Sequence, residues 1–346
     1  MKIKSNKFKI KIFLVSILIL IIVATIYFLV AREISRQTVI NNEKIYHIGV
    51  LAGLDFFSDT TIGFKSGMEK LGYKEGKNIV YDVEKTDFDI NAYERILKKF
   101  IADKVDLIFV FPTEAAMMAK DLAKESEIPV LFANASVEGV DLAKNLIKPE
   151  GNITGVRRPD QEIVVERFDI MYRILPEAKK MIIPYQRGYP VVAGELEKLQ
   201  LAAKGTGVEF IEIPADNGTE LEVNLQKYIQ TYGVDFDAVL LIAEPLTTVQ
   251  DNVLMMSKIL EKYKTPIGGI FFNTNDLNTL FGVNVDNIVA GQQSATLADK
   301  ILNGAPISSI PVVTAKIFSQ INLKVAQKLG LKVDESILNQ ANEVIR

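Results

Sequence analysis

Few residue patterns in this 346-residue chain could support catalysis. The single histidine, His47, stands at the start of a predicted strand, where a structural role is expected. There is no Gly-x-Ser-x-Gly elbow, no Walker A loop and no His-Glu-x-x-His pair. Cysteine is absent, which removes thiolate chemistry, disulfides, cysteine-based metal sites and attachment through a lipid-modified cysteine. Carboxylates are plentiful, but no spacing singles out an acid/base pair. Gly268-Gly269 falls within a predicted strand and lacks a dinucleotide fingerprint. The sequence therefore predicts no catalytic residue, no metal ligand and no cofactor.

Binding asks for less: polar groups and aromatic faces collected at the rim of a cleft. In open α/β sheets that rim lies at the carboxyl ends of the strands. The predicted strands place Asp55, Phe56 and Phe57 after the first, and Pro112, Thr113 and Glu114 after the third. Backbone N–H groups of the helix that follows Pro112 would be open to an anion. Asn134 and Ser136 follow the fourth strand, and Arg157 and Arg158 the fifth. Tyr185 and Arg187, then Glu244, then Asn273 complete the far rim. Each also has a plain structural role open to it. Aromatics can cover a lobe edge, Thr113 can cap a helix, and Glu114 can complement a helix dipole. Neighbouring Arg157 and Arg158 cannot both face one cleft from an extended segment, because side chains alternate. Arg157 or Arg187 is the expected charge in the cleft, with Arg158 solvated or paired. Acidic and basic groups together suit a zwitterion such as an amino acid, and the aromatics offer a face for a flat side chain.

A rhythm of strands and helices positions these residues. Ile45–Leu51, Asn78–Val83, Asp106–Phe111 and Pro129–Phe132 are predicted strands, with helices between them such as Asn91–Ala102. Pro149 and Gly151 interrupt the chain before a short β-branched strand at Ile153–Val156, expected to form part of a hinge. The rhythm then restarts, from a helix at Glu162–Leu175 to a strand at Pro266–Phe271, and Phe281–Val285 is the expected return crossing. Alternation of this kind implies parallel sheets with right-handed crossovers. The fold class is α/β, with two Rossmann-like lobes joined by a multi-strand hinge. Residues 45–154 with 286–306 are expected in the first lobe, and 155–285 with 307–346 in the second.

Three stretches carry a resemblance. They are Lys148-Pro-Glu-Gly-Asn-Ile-Thr-Gly-Val156, then Leu71-Gly-Tyr-Lys-Glu-Gly-Lys-Asn-Ile79 preceded by Gly63-Phe-Lys-Ser-Gly67, and Ala298-Asp-Lys-Ile-Leu-Asn-Gly304 leading to Asn322-Leu-Lys324 and Lys328-Leu-Gly-Leu331. In order and spacing they resemble the ABC-transporter substrate-binding proteins that include bacterial tryptophan- and tyrosine-binding proteins, from about Ile45 to the end. The resemblance implies a type I periplasmic-binding-protein fold, no enzymatic activity, and partnership with a permease and its ATPase. Two rim positions depart from the family pattern, Val137-Glu138-Gly139 and Pro184-Tyr185-Gln186-Arg187.

Net charge is −3 and no Lys/Arg patch follows the first residues, so nucleic acid is not an expected partner. Ile12–Ala31 contains no charged residue, a run long enough to span a bilayer. Lys2, Lys4, Lys7, Lys9 and Lys11 precede it, which orients the remainder away from the cytoplasm. The apolar run exceeds a signal-peptide core and Val30-Ala31-Arg32-Glu33 is a poor cleavage site. The expectation is a cytoplasmic tail at 1–11, an uncleaved single-pass anchor at 12–31, a linker at 32–44, and a monomeric, outward-facing binder of a small molecule. The rival is a tethered ligand-sensing receptor that acts through a separate signalling partner.

Overall fold

The computed structural model describes residues 24–28, 44–270 and 279–346. Strands β1 (Tyr46–Ala52), β2 (Ile79–Lys85), β3 (Leu107–Phe111), β4 (Val130–Ala135) and β5 (Ile153–Arg157) build the first lobe. Helices α1 (Asp59–Lys70), α2 (Ile90–Ala102) and α3 (Thr113–Leu122) alternate with them. α2 shows why: Ala92, Tyr93, Ile96, Leu97 and Phe100 recur at helical spacing and are buried, and the Asp89 side chain accepts from Ala92 N–H at 3.0 Å to cap the helix. β1, β3 and β4 are buried almost throughout, as parallel strands covered on both faces are.

The second lobe starts with α4 (Asp160–Ile174) and runs through β6 (Lys180–Gln186), α5 (Val192–Ala203), β7 (Glu209–Ala215), α6 (Gly218–Tyr232) and β8 (Ala238–Leu240). It continues with α7 (Pro245–Thr248), α8 (Gln250–Leu260), β9 (Ile267–Gly269) and β10 (Thr279–Val285). α9 (Asn287–Leu302) returns to the first lobe and lies on α1, as expected. β11 (Val313–Thr314), β12 (Ile317–Asn322), α10 (Leu323–Leu329), α11 (Glu335–Gln340) and β13 (Glu343–Ile345) end the chain.

Two sheets result. The first has the order β11-β5-β4-β3-β1-β2 and is parallel throughout. The second has the order β13-β12-β10-β9-β8-β6-β7, with β10 and β12 its antiparallel pair. The chain passes between the lobes three times, after β5, after β10 and after β11. Hydrogen bonds tie the crossings: Ala315 N–H donates to the Arg157 carbonyl and Asp286 N–H to that of Lys316, both at 2.9 Å.

The expected lobe boundaries move in two places. Ile153–Arg157 is an interior strand of the first sheet rather than part of the crossing, so the chain leaves this lobe after Arg157, not 154. Residues 307–314 also stay with the first lobe, because Thr154 Oγ1 donates to the Ile310 carbonyl at 2.8 Å and β11 pairs with β5. Phe281–Val285, the expected return crossing, lies within β10 and belongs wholly to the second sheet.

Most of the expected anchor lies outside the described residues; 24–28 are helical, with Ile26, Tyr27 and Phe28 exposed. Among the described residues no helix is long and apolar enough to cross a membrane.

Candidate functional site

The carboxyl ends of β1, β3 and β4 face those of β6 and β8 across a narrow cleft of about 40 Å³, room for only a few water molecules. The first lobe contributes Leu54, Phe57, Phe88, Pro112, Thr113, Glu114, Asn134 and Ser136. The second contributes Tyr189, Val191, Ala243, Glu244, Pro245 and Thr248, and Arg158 enters from the first crossing.

Arg158 is the cationic centre. Its side chain is buried, its Nε donates to Asp160 Oδ1 at 2.8 Å, and its Cζ lies 5.2 Å from the centre of the Phe57 ring. Both terminal guanidinium nitrogens are buried without a hydrogen-bond partner. The other Asp160 oxygen accepts from Ser136 Oγ, and Ser136 N–H donates to Thr113 Oγ1 at 2.9 Å. One hydrogen-bonded chain therefore runs from the first lobe through Asp160 to the arginine and fixes its plane.

Two acceptors share the cleft with it. Glu114, in the first turn of α3, accepts from the Tyr189 hydroxyl at 2.9 Å through Oε1, while its Oε2 is buried and unpartnered. Asn134 occupies a left-handed conformation, φ 47°, where β4 slips register against β5 between Ala133 and Ala135. Irregularities of this kind re-aim a side chain. The Asn134 amide nitrogen donates to Thr60 Oγ1 at 2.6 Å and Asn287 Oδ1 at 3.1 Å, and its oxygen is buried without a partner. Phe88 also holds a positive φ, 61°, fixed by its N–H on the Gly53 carbonyl at 2.8 Å.

Glu244 has a different task. It caps α7, accepting from Leu246 N–H and Thr247 N–H at 2.9 and 2.8 Å and from Gln186 N–H at 3.0 Å. Burial pushes its carboxyl above the usual range, and these donors hold it down. Burial and the Glu114 carboxylate push the Tyr189 phenol well up, which keeps it a donor.

Of the residues expected at the rim, Phe57, Thr113, Glu114, Asn134, Ser136 and Glu244 converge on the cleft. The arginine expectation is reversed. Arg157 points away, held at 2.7 Å by each of Glu138 and Glu162 and by Thr314 Oγ1 at 3.2 Å. Arg187 is half-exposed on the surface, paired with Asp216 and Glu220. Tyr185 turns outward to donate to Glu212 at 2.6 Å. Asp55 is exposed on a 3₁₀ turn and Phe56 packs among core side chains, so neither lines the cleft. Asn273 lies outside the described residues. Phe88, Tyr189 and Asp160 were not singled out from sequence. Tyr189 follows the same strand-end logic as its neighbours, only two residues farther along the loop after β6.

Among the described residues no cluster of His, Cys, Asp or Glu could hold a metal ion. The family model described as ABC transporter substrate binding protein matches residues 48–345. The chain belongs to this family. It is a family of solute-binding proteins that work with ABC transporters. A tyrosine-binding protein of Clostridioides difficile is 26% identical over 252 residues, covering 73% of this chain and 70% of that protein. A domain from Streptococcus pneumoniae in complex with L-Trp is similar in structure, with TM-score 0.74 and 23% identity over 87% of this chain and all of that one. A conserved domain protein from Vibrio cholerae has TM-score 0.75 and 24% identity, again over 87% of this chain and all of the other. These likenesses establish the two-lobed α/β fold of type I periplasmic binding proteins.

Proposed function

We propose that the chain captures an amino acid with a flat side chain between its lobes and passes it to an ABC permease without transforming it. The observation that carries the ligand class is the pair of unpartnered, buried guanidinium nitrogens of Arg158. A planar fork of this kind matches a carboxylate bidentately. Phe57, Phe88 and Tyr189 supply aromatic faces in the same cleft. A tyrosine-binding relative and an L-Trp-bound structural neighbour agree with this choice. Since the cleft holds only about 40 Å³, an amino acid is admitted by separation of the lobes and enclosed by their return.

Calorimetry on the full-length chain with the twenty amino acids tests the reading. One small group with flat side chains is expected to bind and to be recovered unchanged. Arg158→Ala should then lose roughly 2–5 kcal/mol, about 30-fold or more in affinity. Arg157→Ala, which removes an arginine paired with Glu138 and Glu162 away from the cleft, should cost at most about 1 kcal/mol in binding. Equal binding by Arg158→Ala and the parent would end the assignment.

Delivery to a permease and ATPase is tested by uptake of the bound amino acid in cells with and without this chain. The proposed location is the cell membrane, with the apolar run Ile12–Ala31 as an uncleaved anchor and the lobes outside the cytoplasm. Protease added from the outer side should digest the lobes and leave the anchor in the membrane fraction. A mature chain released in soluble form, beginning after Ala31, would refute the anchor.

A further inference from the structure

We propose that Glu114 recognises the ligand's ammonium group and that Tyr189, reaching from the opposite lobe, is the positioning residue that holds it ready. This rests on the reading of the cleft as an amino-acid site and goes beyond it by assigning the second charge and its coupling to closure. Glu114 has two oxygens in different situations. Oε1 accepts the Tyr189 hydroxyl at 2.9 Å, and Oε2 is buried with no partner. Buried carboxylate oxygens are normally satisfied, because an unmet acceptor carries its full desolvation cost. The Asn134 oxygen is a second buried acceptor in the same cleft, and its amide nitrogen is already committed to Thr60 and Asn287. An ammonium, with three N–H donors and no acceptor, suits a pair of acceptors of this kind.

Arg158 and Glu114 line one cleft, yet Arg158 bonds to Asp160 and Glu114 to Tyr189 rather than to each other. A ligand carrying both signs can engage both. Glu244, the other cleft carboxylate, is spent on three backbone N–H groups and does not compete.

Tyr189 belongs to the second lobe, following β6, whereas Glu114 opens α3 of the first. Their hydrogen bond spans the cleft and is made when the lobes approach. The ammonium subsite is thus completed by closure. Elevation of the phenol by burial and by Glu114 keeps Tyr189 protonated, so it donates rather than repels.

The test uses the full-length chain, L-tyrosine, and 3-(4-hydroxyphenyl)propanoic acid, which differs by loss of the ammonium. Calorimetry on the parent needs no substitution: L-tyrosine should bind about 30-fold or more tighter than the des-amino acid. Equal affinities would overturn the proposal. In Glu114→Gln that preference should shrink to within about threefold, while the des-amino acid binds nearly as it does to the parent. Tyr189→Phe should weaken L-tyrosine more than the des-amino acid. A merely structural Glu114 or Tyr189 would weaken both probes alike, keep the preference, and overturn its half of the assignment. If the parent binds none of the twenty amino acids, the amino-acid reading fails and this one with it; if it binds another flat amino acid in place of L-tyrosine, that acid and its des-amino analogue serve as the two probes. If the parent binds L-tyrosine and every variant keeps the preference, this inference alone fails.

Discussion

Glu195 lies on α5, buried, with one carboxylate oxygen that finds no partner. Burial pushes its carboxyl well above the ordinary range; the Asp160 carboxylate adds to this, and the Arg167 and Arg158 guanidinium groups oppose it. Arg167, also buried, spends its own donors on the Val283 and Leu241 carbonyls. The native state therefore favours the protonated Glu195. Its contribution to stability is fully present below the unfolded value of about 4.3 and is lost as pH rises through the elevated folded value. Glu195→Gln is neutral at every pH. It should match the parent near about pH 4 and exceed it by on the order of 1 kcal/mol near about pH 8 in denaturant unfolding. A difference that does not grow with pH would mean that pairing with Arg167 outweighs burial. At this scale the sequence was legible only in part. Strand-end position found Phe57, Thr113, Glu114, Asn134 and Ser136, because connectivity alone places them. It chose the wrong arginine of an adjacent pair. β5 is buried on both faces and shows no polar alternation to set its phase, so which of Arg157 and Arg158 turns inward depends on tertiary packing.

Between elements, α1 packs closely against α9, and glycine makes it possible. A Cβ built on Gly63 would stand 2.0 Å from the Ile288 carbonyl oxygen, and one on Gly291 2.2 Å from that of Thr60. Both obstacles are backbone, which cannot swing aside. Gly63→Ala and Gly291→Ala should each cost about 3 kcal/mol, read as a lower denaturant midpoint at unchanged slope. Gly194→Ala on α5 is the contrast. There the new methyl would meet only the flexible Gln161 amide at 3.1 Å, so gained helix propensity should leave stability equal or higher. Near-parent stability in Gly63→Ala would show that the helices can slide apart. Gly63 lies in one of the motifs that carried the family resemblance, and helix α9 was expected to return to the first lobe. The contact between them was therefore within reach of the sequence. β11 was not: two residues, Val313–Thr314, contain too little pattern to announce a strand, and pairing with β5 alone defines it.

For the whole molecule, three crossings tied by backbone hydrogen bonds leave the lobes joined along one side and free to part along the other. Three parallel connections restrain twist, so the motion they permit is a hinge, with the dihedral changes concentrated near residues 158–159, 286 and 315–316. The proposed ligand contacts come from both lobes and from the crossing itself. Arg158, Glu114 and Tyr189 can therefore engage one molecule together only in the closed form, and binding must shift the population toward it. A chain without cysteine permits a direct measurement, since two introduced thiols would be its only labelling sites. Ile147 of the first lobe and Leu201 of the second are exposed, 81% and 57%, so Ile147→Cys and Leu201→Cys should accept probes with little disturbance. Spin-label distances should narrow to one population on adding the amino acid found by calorimetry. The same addition should raise stability by about 2.7 kcal/mol at a hundredfold excess over Kd. Arg158→Ala, at a ligand concentration saturating for the parent, should retain the ligand-free distribution. If the distances stay fixed while heat of binding is recorded, the ligand occupies a site outside the cleft, and closure plays no part in its capture.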